Sequence, residues 1–315
     1  MISRRAYLKL MLAAGAATAS APRLLSAADR RLTLIERAIP SSGERLPAVG
    51  LGSSATFSKV AGSAGAEEAL GEVLRALVDR GGKVFDTAPA YGTSEEVAGT
   101  IADRLGLTNR LFWATKVNVA GRDDGKADPR AARAQIETSF ARARKTPLDL
   151  IQVHNLGDVP TQLGILKELR DAGRVRYIGV TTTFPRQYEE LERIMRREPL
   201  DFIGVDYAID NRTMEKRIFP LAQERGIAAL VYAPFGRTRL WQRVRGHELP
   251  AWASEIDVHS WGQYFLKFVL SHPAVTAATP ATSRARHMID NMGAAYGRLP
   301  DRAMRRRMIE HIESL

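Results

Sequence analysis

Short β-rich runs alternate eight times with stretches of helical period along this chain, and that alternation narrows the possible folds more than any other feature. The runs cover residues 49–52, 84–86, 111–116, 148–154, 175–180, 202–207, 227–232 and 275–278. Between them, Leu70, Val73, Leu74, Leu77 and Val78 share one helical face while Glu72, Arg75 and Asp79 fall elsewhere, and Tyr188, Leu191, Ile194 and Met195 repeat the spacing. Gly81-Gly82, Gly173 and Gly226 stand where helices should stop before the next strand. Thr93-Ser94-Glu95-Glu96 has the form of a capping box, in which the first hydroxyl and the later carboxylate satisfy orphan amides of a helix start. Eight such units without a break in composition predict an α/β fold, a parallel sheet closed into a (β/α)8 TIM barrel. An open doubly wound sheet is the alternative. Ahead of the first unit, residues 32–39 and 46–49 flank Ser41-Ser42-Gly43-Glu44 and predict an N-terminal β-hairpin, placed to plug the barrel floor. Residues 233–260, with Phe235, Arg237, Arg239 and Trp241, show no clear period; a loop of that length on a barrel is usually functional.

Composition removes several chemistries. The 315 residues contain no Cys, which excludes thiol nucleophiles, disulfides, Cys-based zinc sites and iron–sulfur clusters. His247, His259, His272, His287 and His311 show no close ligand spacing, so no metal site is expected. The formal charge is +11, but Arg and Lys run along the whole chain, which argues for a generally basic protein and against a nucleic-acid partner. Arg305-Arg306-Arg307 is expected to form a solvated helix face.

Residues 1–28 read as an address, with the folded part expected over 29–315. Ser3-Arg4-Arg5-Ala6-Tyr7-Leu8-Lys9 precedes an apolar run of about a dozen residues, too short for a permanent transmembrane span, which needs about 20. Small residues Ser26-Ala27-Ala28 follow, and cleavage after Ala28 suits them better than after Ala21, where Pro22 would follow the scissile bond. The order of residues resembles a bacterial twin-arginine signal. It implies recognition by the twin-arginine export machinery and a periplasmic location.

Gly50-Leu51-Gly52-Ser53-Ser54-Ala55 matches G-x-G-x-x-A after a strand, yet the next helical pattern opens only near Ala66. A Rossmann fingerprint needs its helix to begin within the loop. The glycines are therefore read as letting backbone approach closely at the barrel mouth, with Gly52, Ser53 and Ser54 facing a bound cofactor.

Asp86, Lys116 and His154 end the second, third and fourth runs, and Tyr91 follows Asp86 in the same loop. Strand C-termini converge on one face of a barrel, where active sites lie. The motifs Phe85-Asp86-Thr87-Ala88-Pro89-Ala90-Tyr91-Gly92-Thr93-Ser94-Glu95, Ala114-Thr115-Lys116, Leu148-Asp149-Leu150-Ile151-Gln152-Val153-His154 and Gly173-Arg174-Val175-Arg176-Tyr177-Ile178-Gly179-Val180 resemble the aldo-keto reductase family, over about residues 45 to 295. The resemblance implies a catalytic tetrad of Asp86, Tyr91, Lys116 and His154 and reduction of aldehydes or ketones to alcohols with a nicotinamide dinucleotide. A phenol is a reluctant acid near neutrality; an adjacent ammonium makes it less so, and a carboxylate keeps that ammonium charged. His154 would hydrogen-bond the substrate oxygen.

The resemblance also implies cofactor contacts, with departures. The family's Ser-Asn pair at the carboxamide is Thr181-Thr182 here, and its usual Gln on the sixth strand is Gly204. Tyr232 matches the aromatic that stacks on the nicotinamide. Thr282, Arg284, Asp290 and Asn291 fall in the segment that holds the adenosine end, where Ala281 and His287 replace the Lys and Arg of some members. Arg284 and Arg286 remain to meet a 2′-phosphate, which favours NADP(H) over NAD(H). Trp113 and Trp241 are read either as pocket lining or, for Trp113, as barrel packing. A second functional class is a dinucleotide-binding regulatory or sensor subunit with little turnover, since some family members serve channels as β-subunits; the intact tetrad favours the enzyme.

Replacing Arg4 and Arg5 together with Lys keeps both charges but removes the planar guanidinium pair. The double variant should remain in the cytoplasm, as cell fractionation would show. Continued export would mean that the pair is not the address.

Overall fold

The structure is a computed structural model that describes residues 33–54, 56–57, 64–120 and 125–315. The export segment expected over 1–28, Ala55 and Gly62-Ser63 lie outside the described residues. Eight strands form one sheet: β3 (Leu51–Gly52), β4 (Val84–Asp86), β5 (Phe112–Val117), β6 (Leu148–Val153), β7 (Val175–Thr182), β8 (Phe202–Asp206), β9 (Ala228–Tyr232) and β10 (Val275–Ala278). Each pairs in parallel with its neighbours in chain order. Parallel bridges Val49–Ala278 and Gly52–Ala281 join the first strand to the last and close the barrel. The expected strands are all present, and the open sheet is excluded.

The seam explains Gly50 and Gly52. A Cβ on Gly50 would lie 2.6 Å from the Val84 carbonyl oxygen, and one on Gly52 would lie 2.6 Å from that of Thr279. Their amides instead donate across the seam to Ala278 O at 2.9 Å and Pro280 O at 3.1 Å. What approaches closely is thus the backbone of the neighbouring strands.

Strand side chains alternate between two cores, because successive Cβ atoms point to opposite faces. Phe85, Trp113 and Ile151 face outward to the helices, where Leu70, Val73, Leu74 and Leu77 of α1 (Ala64–Asp79) are also buried. Val84, Phe112, Leu150, Tyr177, Phe202 and Leu230 fill the barrel interior. Trp113 is thereby a packing residue, against Phe85 with ring centres 4.9 Å apart. The expected hairpin is β1 (Glu36–Ala38) paired antiparallel with β2 (Arg45–Pro47). Ile39 and Leu46 of the hairpin join the interior cluster, and Ser42 Oγ lies 2.7 Å from the Tyr177 hydroxyl. The floor of the barrel is therefore sealed, and access is from the strand C-termini.

Gly81, Gly173 and Gly226 all adopt positive φ, at 81°, 71° and 63°, as helix stops require. Three expectations change. Helix α2 (Ser94–Arg104) opens where the capping motif placed it, but Thr93 makes no side-chain cap bond. Its Ser94 and Glu95 are drawn inward by partners on other elements. Arg305 is not a solvated residue: its guanidinium pairs with Glu215 at 2.7 Å and stacks over Phe268 at 4.2 Å. The stretch 233–260 holds a short helix (Arg239–Arg243) and a 3-10 segment (Ala251–Ile256). Among the described residues, no helix is long and apolar enough to cross a membrane.

Candidate active site

Strands β4, β5 and β6 carry Asp86, Lys116 and His154 to the open end of the barrel. With Tyr91 they line a cavity of about 730 Å³, together with Gly52, Ser53, Ser54, Thr181 and Tyr232. Asp86 is 3% exposed and Lys116 1%. Lys116 Nζ donates to Asp86 Oδ1 at 2.8 Å and to the Thr87 carbonyl at 2.7 Å. Nζ also lies 5.0 Å from the centre of the Tyr91 ring. The Tyr91 and His154 rings meet edge to face at 5.8 Å. All four residues of the expected tetrad are thus brought together.

Burial and charge act against each other here. Burial, the largest single effect, pulls Lys116 down, but Asp86 and Tyr91 together outweigh it and hold the ammonium above its ordinary value. Burial pushes the Asp86 carboxyl up, with the Lys116 charge opposing. Burial also raises the Tyr91 phenol, while the Lys116 charge and hydrogen bond draw it back. The tetrad therefore presents a neutral phenol beside a fixed ammonium.

The backbone under these groups is held by hydroxyls. Ser53 donates to the Asp86 carbonyl from both its amide and its hydroxyl, each at 3.0 Å. Ser94 Oγ donates to Ser53 Oγ at 2.8 Å, and lies 3.1 Å from Thr87 Oγ1. Glu95, fully buried, accepts from Thr115 at 2.5 Å and Ser139 at 2.9 Å. Past His154, Asn155, Leu156 and Asp158 take positive φ of 55°, 55° and 34°. Such conformations cost about 1–3 kcal/mol each and persist only where the surroundings over-determine them. Here Gln187 Nε2 donates to Asn155 O at 2.9 Å, and Asp158 Oδ2 accepts from the Ala127 amide at 2.9 Å.

The expected cofactor residues divide into three groups. Gly52, Ser53, Ser54, Thr181 and Tyr232 line the cavity. Thr182 turns into its own loop, donating to Gln187 Oε1 at 2.5 Å and accepting from the Phe184 amide at 3.1 Å. Thr282 Oγ1 accepts from the Arg284 amide at 3.2 Å, and Arg284 and Arg286 line a separate concavity with Glu72 and Ser283. Asp290 binds Ser260 Oγ at 2.7 Å and Gln263 Nε2 at 2.9 Å, and Asn291 is buried beside Gly262. Asp290 therefore secures the start of the helix Trp261–Leu270. Trp241 is 41% exposed and packs on Phe235 at the rim.

Sequence reasoning did not single out Asn118, Gln152, Phe184 or Arg237 as site residues. Asn118 lines the cavity with a buried Oδ1 that lacks a protein partner. Gln152 shares its strand face with His154, a period-two signal that was readable. Phe184 comes from an irregular loop and carried no such signal, while Arg237 lies in the 233–260 loop, whose length alone marked it as functional.

Removing one member of a buried ion pair leaves an uncompensated charge, at about 3–5 kcal/mol. Lys116→Met should destabilise the fold by that order in urea unfolding. Asp86→Asn combined with Lys116→Met should recover most of the loss. A double variant no more stable than the single one would show that the pair is not the source.

The aldo/keto reductase family profile matches residues 48–309. The chain is 31% identical over 208 residues to the aldo-keto reductase YhdN of Bacillus subtilis, a match covering 63% of this chain and 61% of that relative's length. It is 24% identical over 263 residues to the aldo-keto reductase str7 of Strobilurus tenacellus, covering 73% and 77% of the two chains. Among solved structures, an aldo-keto reductase from Klebsiella pneumoniae in complex with NADPH superposes with a TM-score of 0.74 at 23% identity, covering 89% of this chain and 96% of that one. The aldo-keto reductase AKR11C1 of Bacillus halodurans, in its holo form, superposes with a TM-score of 0.69 at 21% identity, covering 89% and 96%. These structures share the fold, and the family profile spans the barrel and all four tetrad positions: the chain belongs to the aldo/keto reductase family.

Proposed function

We propose that this protein reduces aldehydes or ketones to alcohols, reversibly, with NADP(H) as the hydride carrier. The observation that carries the reading is a buried ammonium held by a carboxylate against a protonated phenol, with an imidazole alongside, in a cavity at the strand C-termini. The cavity fits the nicotinamide end of a dinucleotide: Thr181 offers a hydroxyl at its wall, and the buried Asn118 Oδ1 lacks a donor. When bound, the dinucleotide supplies hydride to the carbonyl carbon.

The chain supplies the proton and the geometry. The carbonyl oxygen sits where Tyr91 and His154 converge; His154 donates a hydrogen bond that polarises it. Tyr91 gives its proton to that oxygen, and the ammonium of Lys116 stabilises the phenolate left behind. Asp86 keeps Lys116 charged and fixed. In the oxidative direction Tyr91 takes the proton back.

Preference for NADP(H) is supported by the cations beyond the last strand. The cavity wall at Thr279, Pro280 and Ala281 runs directly into the segment bearing Arg284 and Arg286. Burial, followed by the charges of Arg286 and Arg284, depresses His287, so the imidazole is a poor source of positive charge. Arg286 Nε is directed to His287 Nε2 at 3.4 Å, and of the two cations we take Arg284 as the main phosphate contact. A solved relative from Klebsiella pneumoniae is a complex with NADP and acetate. We further propose twin-arginine export to the periplasm, supported by the Ser3-Arg4-Arg5 segment.

Tyr91→Phe should lower carbonyl reduction roughly 10²–10⁴-fold while leaving NADPH affinity nearly intact, since the hydroxyl supplies a proton and no cofactor grip. Near-wild-type turnover over several aldehydes would remove Tyr91 from the mechanism. Arg284→Ala should cost about ten- to hundredfold in NADPH affinity and far less for NADH. Calorimetric titration of both dinucleotides decides this; an unchanged preference would sink the assignment.

A further inference from the structure

Gly204 lies on β8 opposite Leu230 of β9, and Tyr232 stands two residues further, opposite Asp206. A Cβ on Gly204 would sit 2.5 Å from both Cε2 and the hydroxyl of Tyr232. The Tyr232 ring thus leans across β8 at the one position without a side chain. There its hydroxyl reaches the barrel interior, 3.1 Å from Asp86 Oδ2 and 3.0 Å from Gln152 Oε1. Lys116 Nζ lies 5.2 Å from the centre of the same ring. Gln152 Nε2 donates to Val180 O at 3.4 Å, which turns its Oε1 toward Tyr232. One phenolic proton faces two acceptors, and the charged carboxylate is the stronger of them.

We infer that Tyr232 is a positioning residue that acts on Tyr91 through Asp86 and Lys116, and that Gly204 is the position that admits it; this rests on the reductase reading above. Asp86 has two oxygens and two partners: Oδ1 takes Lys116 and Oδ2 takes Tyr232. A donor on Oδ2 draws part of the carboxylate charge away from Lys116, so more of the ammonium's field and hydrogen bonding reaches the Tyr91 phenol. Without that donor Asp86 binds Lys116 harder and the phenol becomes a weaker acid. Burial, followed by the charges of Asp86 and Tyr91, holds the Tyr232 hydroxyl well above its ordinary value, so it remains a donor over the working pH range. Where the resemblance leads one to expect Gln on the sixth strand, Gly204 leaves room for the Tyr232 ring to reach Asp86. The departure at Gly204 and the inward lean of Tyr232 are one feature.

Two variants test this, assayed with one aldehyde and NADPH beside the wild type. Tyr232→Phe keeps the ring and removes the proton; Gly204→Ala keeps the proton and displaces the ring end. Both should lower kcat about fivefold and move the pH at which reduction loses half its rate upward by about half a unit. The aldehyde KM of both variants, and the NADPH Kd of Tyr232→Phe, should stay within about twofold. Superimposable pH profiles for wild type and both variants overturn the role. Loss of NADPH affinity in Tyr232→Phe with an unmoved pH midpoint also overturns it, by making the residue a cofactor contact alone. Absence of wild-type turnover on any carbonyl overturns the reductase reading and this role together, a result that turnover with unmoved profiles cannot be confused with.

Discussion

The Asp86–Lys116 ion pair is the constraint around which the site is built. Taking a carboxylate and an ammonium out of water costs several kcal/mol per ion even after relaxation, and their attraction offsets this only with good geometry and further hydrogen bonds. The 2.8 Å contact supplies the first condition. The second is met by the Thr87 carbonyl on Lys116 and the Tyr232 hydroxyl on Asp86. Neither partner can shift without leaving a buried charge exposed to apolar surroundings. The backbone that carries Asp86 must therefore be fixed, and the Ser53–Ser94–Thr87 hydroxyl chain fixes it. A barrel suits such a pair because neighbouring strands already hold their ends about 5 Å apart.

How much of this was legible follows from how local each signal is. The strand and helix pattern rests on periods of 2 and 3.6, which are properties of a short window, and it placed all eight strands. The tetrad was legible because the strand ends of a barrel converge by topology, so Asp86, Lys116 and His154 could be brought together without knowing any rotamer. The rest depended on distant side chains. Thr93-Ser94-Glu95-Glu96 marks a helix start locally, but Ser94 and Glu95 are claimed by Ser53, Thr115 and Ser139, residues 20 or more positions away. Asp290 falls in the segment expected to face adenosine, yet Ser260 and Gln263 occupy both of its oxygens. Arg305 reads as part of a basic run because the ring that receives it, Phe268, lies on another helix. Gly204 was visible as a departure; that Tyr232 fills the space it opens was not, since that is a rotamer choice across two strands.

The site divides into a rigid floor and an irregular mouth. Below, the two cores, the sealed hairpin and the buried ion pair leave almost no freedom, as proton transfer over a short, fixed distance requires. Above, Asn155, Leu156, Asp158, Ala233 and Arg237 hold positive φ without being glycine. Each of these conformations is unfavourable alone, and hydrogen bonds from Gln187 and Ala127 tie the first group down. Loops held this way can change residue type without disturbing the floor, which is why the chemistry is readable from the strands while the shape of the substrate is written in the loops.

The basic character of the chain fits this division. On the outer helices many arginines are matched: Arg133 with Glu168, Arg144 with Asp103, Arg174 with Glu137, and both Arg196 and Arg217 with Glu192. Pairs as exposed as the first three contribute little stability. At the open end the balance differs. Arg237 borders the cavity, and its charge helps to draw the Tyr91 phenol down, while Arg284 and Arg286 border the adjacent concavity. The charge that helps to lower the Tyr91 phenol and the cations of the adjacent concavity therefore both lie beyond the strand C-termini, the end at which the tetrad opens.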